Sequence, residues 1–146
     1  MFSQEVINCL EQKVILLTNI LNLTKQIEVR CSEPEVNLEN LLEQREGFMQ
    51  RCGKCDDLIR SLIAQLPADQ QKTAQQIILN QTIQNCGADE QKALELVREN
   101  ESLLQRAALI DRAANEALKL QYDDAKQHLK ELRKSGNREN LFLDHA

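Results

Sequence analysis

Hydrophobic residues recur at steps of three and four through most of this chain, which is the spacing of one face of an α-helix. Between Ser3 and about Arg30 the spacing predicts a first helix with an unusually wide apolar face. Such a face predicts packing against two neighbours, either inside a bundle or across a dimer. The face consists of Ile7, Leu10, Val14, Leu17 and Leu21, widened by Ile20, Leu23 and Ile27.

A second helix is predicted from about Pro34 to Leu66. Ser32 and Glu35 have the spacing of a capping box, Pro34 suits a first helical turn, and Pro67 ends the pattern. One face of this helix, at steps of three and four and apolar apart from Arg45, forms its seam: Leu38, Leu41, Arg45, Phe48, Cys52, Cys55, Ile59, Leu62 and Leu66.

Cys52 and Cys55 raise the question of a redox or metal site, because two residues separate them. Both cysteines also fall on consecutive seam positions, where a free cysteine packs as a small hydrophobic residue. A redox pair of the thioredoxin type follows a strand, and none is predicted here. A closed zinc site needs two more ligands, which the spacing of the remaining Cys and His residues does not supply. We therefore predict packing, with a metal or redox role as the alternative.

Two further helices complete the pattern. The third is predicted from about Ala68 to Cys86, and Gly87 suits a left-handed residue at its end. The fourth runs from Glu90 to about Lys134 without Gly or Pro, so it predicts one helix of roughly 45 residues. Its stripe shifts register midway, as in a stutter, so its two halves are expected to face different partners. The stripe reads Leu94, Val97, Leu104, Ala108, Ile110, Ala114, Ala117, Leu118, Tyr122, Ala125, Leu129 and Leu132.

The last residues are expected to form a tail. Ser135 and Gly136 predict a helix break, giving a helical domain of residues 1–134 and a mobile or docked segment of residues 135–146. Three adjacent apolar residues in this polar segment suggest that it covers a groove on the protein itself. They are Leu141, Phe142 and Leu143.

Composition supports an all-α fold, because the chain has 3% aromatic residues, four Gly and two Pro. We predict an elongated antiparallel helical bundle or coiled coil of three to four helices with one long C-terminal helix. The net charge of −5 argues against a nucleic-acid partner, and no apolar run is long enough for a membrane span. Five scattered cysteines and the lack of a secretory signal predict a cytoplasmic protein with reduced thiols.

No arrangement of residues predicts a reaction. The carboxylates follow helix faces without forming an acid–base pair, and there is no Gly-rich phosphate loop. The sequence therefore predicts a binding protein with no catalytic residues, no metal and no cofactor.

Three stretches resemble the flagellar type III export chaperones of the FlgN and FliT kinds. They are "LLTNILNLTKQIE", "LENLLEQREGFMQR" and "LVRENESLLQRAALIDRAANEALKLQYDDAKQHLKEL". The resemblance implies a small cytoplasmic helical protein that binds helical terminal segments of hook-associated or filament-cap proteins. It also implies delivery of these proteins to the export gate.

In that family the C-terminal helical region binds the substrate, and a late tyrosine is associated with export-gate docking. The resemblance therefore implies docking through Tyr122, although its place in the apolar stripe favours an amphipathic core residue with its hydroxyl at the rim. The implied partner-binding residues are Leu104, Ala108, Ala114, Leu118, Tyr122, Ala125, Leu129 and Leu132. The alternative function is that of a self-associating coiled-coil protein unrelated to export, for example a homodimer.

Overall fold

The computed structural model describes residues 3–83 and 86–144, with side chains described as far as residue 136. This part of the chain forms four helices and no strand. The helices are α1 (Gln4–Cys31), α2 (Glu39–Ala64), α3 (Ala68–Ile78) and α4 (Ala88–Asp144). The all-α prediction with one long C-terminal helix is confirmed.

α1 is the centre of the bundle, because α2 and α4 both pack along it. The start of α1 shares a core cluster with the end of α2 and the start of α4, represented by Ile7, Ile59 and Val97. The end of α1 shares another cluster with the start of α2 and the middle of α4, represented by Ile27, Leu41 and Ala114. α2 is therefore antiparallel to both neighbours, while α1 and α4 run parallel. The wide apolar face of α1 is the sequence feature that makes this central position stable.

The predicted capping box at the start of α2 is wrong. α2 begins at Glu39, and Ser32 follows the last residue of α1. The backbone N–H of Glu39 instead bonds to Oδ1 of Asn37 at 3.4 Å. The residues between the two helices form the connection that lets α2 reverse direction, so the Ser32–Glu35 spacing coincides with a loop.

The predicted seam of α2 does face the bundle. Leu41, Cys52 and Ile59 of the predicted seam are buried on this helix, and so is Ile63, which the predicted seam did not include. Half-buried side chains fill the other seam positions, namely Leu38, Arg45, Phe48, Cys55, Leu62 and Leu66.

α3 is shorter than predicted and closes one end of the bundle. It ends at Ile78 rather than near Cys86, and its buried residues Ala74 and Ile77 join the cluster at the start of α1. The left-handed residue after it is Asn80, with φ of 58°, so the role predicted for Gly87 was wrong. Asn is among the few residues that adopt this conformation at low cost.

α4 is much longer than the helices that it packs against. Its 57 residues span about 85 Å, whereas the 28 residues of α1 span about 42 Å. The predicted break at Ser135 and Gly136 was wrong, because the helix continues through both residues to Asp144. The side chains of Leu141, Phe142 and Leu143 lie outside the described ones, so the covering role of this tail stays a prediction.

Candidate partner-binding surface

The first part of α4 contributes its apolar stripe to the bundle core. Ala93, Leu94, Val97, Leu103 and Ala114 are all buried there. These side chains stabilise the fold, so they are not available to a partner while the bundle is intact.

The eight predicted partner-binding residues therefore do not form one surface. Ala114 is 1% exposed within the core, and Leu118 packs against the same cluster. Leu104 and Ala108 are exposed at the level of the bundle. The remaining four lie further along α4, where every side chain from residue 122 to residue 135 is exposed. These four are Tyr122, Ala125, Leu129 and Leu132.

The bundle ends at the level of Gln121, whose Nε2 donates to the backbone oxygen of Glu33 at 2.9 Å, just beyond the end of α1. We call residues 122–136 the projecting segment. It extends about 22 Å past this contact. Tyr122 is 68% exposed, and Leu129 and Leu132 are each 54% exposed. Large apolar side chains thus stand in solvent on a helix that its own bundle leaves uncovered.

The apolar residues of the projecting segment follow a coiled-coil spacing. From Leu118 the steps to Tyr122, Ala125, Leu129 and Leu132 are four, three, four and three residues. This is the a/d pattern of a helix that pairs with another helix. We call these four exposed residues, Tyr122, Ala125, Leu129 and Leu132, the seam.

A shallow groove runs along one side of the seam. It has a volume of about 310 Å³, and the small side chain of Ala125 leaves a depression between Tyr122 and Leu129. The rest of its lining is Lys126, Lys130 and Arg133. The groove thus combines an apolar floor with a cationic edge, which is suited to an amphipathic segment rather than to a small charged metabolite.

Charge is distributed unequally around the projecting helix. In this pattern the d residues are Leu118, Ala125 and Leu132, and each is followed directly by a cation: Lys119, Lys126 and Arg133. The opposite flank, directly before each a residue and after Lys134, carries Gln121, His128 and Ser135. Residues 119–134 contain five cations and three anions, a net charge of +2, on a chain whose net charge is −5. Sequence reasoning that looked only for basic clusters missed this flank, although the heptad positions of the cations could have revealed it.

A second concave site lies between α2 and α4, where α3 closes the end of the bundle. It measures about 650 Å³ and is mainly apolar, with walls that include Ile59, Ile63, Val97 and Leu104. Two of its charged side chains pair with each other, because Lys13 Nζ lies 2.7 Å from Asp56 Oδ1. Of the eight predicted partner-binding residues, only Leu104 lines this groove.

Asn100 is the unusual residue of this second groove. Its side chain is 4% exposed, and neither its Nδ2 nor its Oδ1 has a hydrogen-bond partner among the described residues. A buried amide without partners costs on the order of 1–3 kcal/mol of stability. Sequence alone does not single out Asn100, because a lone Asn in a long helix is ordinary unless its side chain is known to face the core.

Cys52 and Cys55 pack as the helical period predicts. Cys52 is buried in a cluster with Leu17 and Leu103, and Cys55 packs against that cluster. Burial raises the pKa of both thiols above their ordinary value, which disfavours the reactive thiolate. Among the side chains described in residues 3–83 and 86–136, no group of three or more His, Cys, Asp or Glu residues is placed to hold a metal ion.

No helix in the described part of the chain has both the length and the apolar character needed to cross a membrane. Comparisons of this chain with family models, curated proteins and solved structures found no match.

Proposed function

We propose that this chain is a binding protein that covers an amphipathic helical segment of another protein with the seam of its projecting segment. The observation that carries the proposal is the exposure of Tyr122, Leu129 and Leu132 at coiled-coil spacing, on a helix end beyond its own bundle. A helix with a matching stripe buries these side chains by packing lengthwise against them. The bundle then acts as a stable base for the binding helix.

The resemblance to flagellar export chaperones supplies the identity of the partner in this proposal. The partner is a hook-associated or filament-cap protein, whose terminal helix is covered in the cytoplasm and then delivered to the export gate. Tyr122 is the proposed contact with the export gate, and its 68% exposure makes the ring accessible to such a component. The activity proposed is binding and delivery, without a chemical step.

A self-associating coiled-coil protein is the second candidate. It is favoured by the same seam, because two copies of the projecting segment would bury each other's exposed leucines. Sedimentation of the purified chain across a range of concentrations tests this candidate directly. A dimer that dissociates when Leu129 and Leu132 are replaced by Ala would support it over the chaperone.

The test of the chaperone proposal is binding of terminal helical peptides from hook-associated and cap proteins of the same organism. We expect Leu129→Ala with Leu132→Ala to weaken binding by roughly tenfold or more, because central apolar anchors dominate helix–groove affinities. Leu120→Ala is the matched control, since Leu120 is 66% exposed on the opposite side of the same helix. Equal weakening by the control, or binding to none of these peptides, would refute the proposal.

A further inference from the structure

Four of the five cations in residues 119–134 lie on one side of the seam, and Lys134 lies on the back of the helix. Lys119, Lys126 and Arg133 follow the d residues, and Lys130 lies beside them in the same groove lining as Lys126 and Arg133. None of these four takes part in a described salt bridge. Their charge is therefore available to a partner rather than used inside the bundle.

From this arrangement we infer that the occupant of the seam is a partner helix with an acidic flank, whose carboxylates lie against Lys126, Lys130 and Arg133. This inference rests on the proposed function, because it specifies which helix that function selects. Charges beside a coiled-coil seam set partner choice and orientation. An occupant with Glu or Asp beside its apolar stripe gains attraction at each contact, whereas a basic one is repelled.

A second copy of the projecting segment fits the seam poorly. In an antiparallel pair the cationic flank faces its own equivalent, so Lys126 and Arg133 meet like charges. In a parallel pair the cationic flank faces Gln121, His128 and Ser135, which offer no carboxylate. Self-pairing is thus repulsive in one orientation and gains no ion pair in the other.

An anionic membrane surface also fits less well than a helix. A helix lying in a bilayer interface needs a broad apolar face, and the seam is only an a/d stripe. Three carboxylates of the same segment would meet anionic headgroups: Asp124 and Glu131 lie on another side of the helix, and Asp123 lies on the cationic flank itself, at the heptad position of Lys130. These features favour a narrow partner that contacts one side of the helix.

The experiment uses the full chain and three synthetic helical peptides that share one Leu stripe and differ in their flanks. The flanks carry Glu, Gln or Lys, and binding is measured by fluorescence anisotropy at low and physiological salt. Three exposed ion pairs predict that the Glu peptide binds about tenfold more tightly than the Gln peptide at low salt. The preference is expected to shrink as salt rises, because exposed charges are screened.

Charge reversal provides the decisive variant. The triple change Lys126→Glu, Lys130→Glu and Arg133→Glu is expected to shift the preference to the Lys peptide. The matched control changes net charge equally at exposed lysines of the bundle and is expected to keep the preference for Glu. These control changes are Lys25→Glu, Lys54→Glu and Lys72→Glu.

Four other outcomes would overturn the inference. Equal affinities for the three peptides, all lost in Leu129→Ala, would leave helix binding standing and refute selection by charge. Absence of binding to every peptide would refute the proposed function itself. Capture of the chain by anionic phospholipid vesicles, or a dimer dependent on Leu129, would replace the acidic helix with a membrane or a second copy.

Discussion

Replacing Asn100 with Leu should stabilise the protein. Asn100 is a residue of α4 that is only 4% exposed, and neither polar atom of its side-chain amide has a hydrogen-bond partner among the described residues. Leu branches at Cγ as Asn does and is of similar size. It therefore replaces the unpaired amide, whose burial costs desolvation free energy, with an apolar group that has no such cost. Removing this penalty is worth on the order of 1–3 kcal/mol of unfolding free energy.

Thermal and urea unfolding followed by circular dichroism measure the effect. For a chain of this size, the gain corresponds to a rise in Tm of roughly 3–10 °C. Leu is also a better helix former than Asn, by a few tenths of a kcal/mol, and this part must be subtracted. Asn115→Leu supplies that correction, because Asn115 is exposed on the same helix. A Tm for Asn100→Leu no higher than that of Asn115→Leu would refute the reasoning.

Three other predictions follow from the contacts. Replacing Cys52 and Cys55 by Ala should lower the free energy of unfolding in urea by on the order of 1–2 kcal/mol and leave peptide binding unchanged. Because burial raises the pKa of both thiols, the wild type should lose stability as pH rises above about 9, and the double variant should lose less. Arg45 Nη1 lies 3.0 Å from Asp111 Oδ1 and joins α2 to α4, so a double-mutant cycle with Ala at both positions should give a coupling of about 0.5–1 kcal/mol. Deleting residues 137–146 tests the covering role of the tail: because α4 continues through residue 136 to Asp144, we expect peptide affinity to stay unchanged, and a rise in affinity would support covering of the seam.

The sign of the pH effect follows from proton binding. A thiol whose pKa is raised on folding keeps its proton in the native state at a pH where the unfolded state has released it. The native state then binds more protons, so unfolding becomes easier as pH increases through this window. Burial is the largest cause for both Cys52 and Cys55, while Lys13 acts in the opposite direction on each.

The sequence predicted the helices well where periodicity and packing agree. The predicted positions on α2, including Cys52 and Cys55, do lie on the side of the helix that faces the bundle. The spacing along a helix determines which side a residue occupies. The start of α2 was missed, because the Ser32–Glu35 spacing is a local signal that the reversal of the chain after α1 overrides. The break predicted at Ser135 and Gly136 was also wrong, since a single Gly costs a long helix only about 1 kcal/mol.

The candidate site was predicted only in part, because the apolar spacing along α4 does not show which of its residues pack against another helix of the bundle. Ala114 and Leu129 look alike in periodicity, yet one is in the core and the other in solvent. What separates them is the length of α1, which ends near the level of Gln121 and leaves the rest of α4 uncovered. Chain reversal and relative helix length are tertiary properties that spacing along a single helix does not contain.

The register shift in α4 gives its two parts separate roles. The inward positions Ala114, Ala117 and Gln121 continue at the same spacing to Asp124 and His128, which are polar. The apolar stripe of the seam lies one residue later at each step, about 100° around the helix axis, and starts from Leu118, which still packs against the edge of the core.

The uncovered part thus does not simply extend the core pattern beyond the bundle. The positions that continue the inward face of α4 beyond the bundle are polar. The exposed leucines of the projecting segment are therefore not explained by packing against α1. The displaced seam is better explained by a partner that approaches from a different side than α1. Substitutions in the seam should therefore alter binding with little change in stability, and substitutions such as Asn100→Leu should do the reverse.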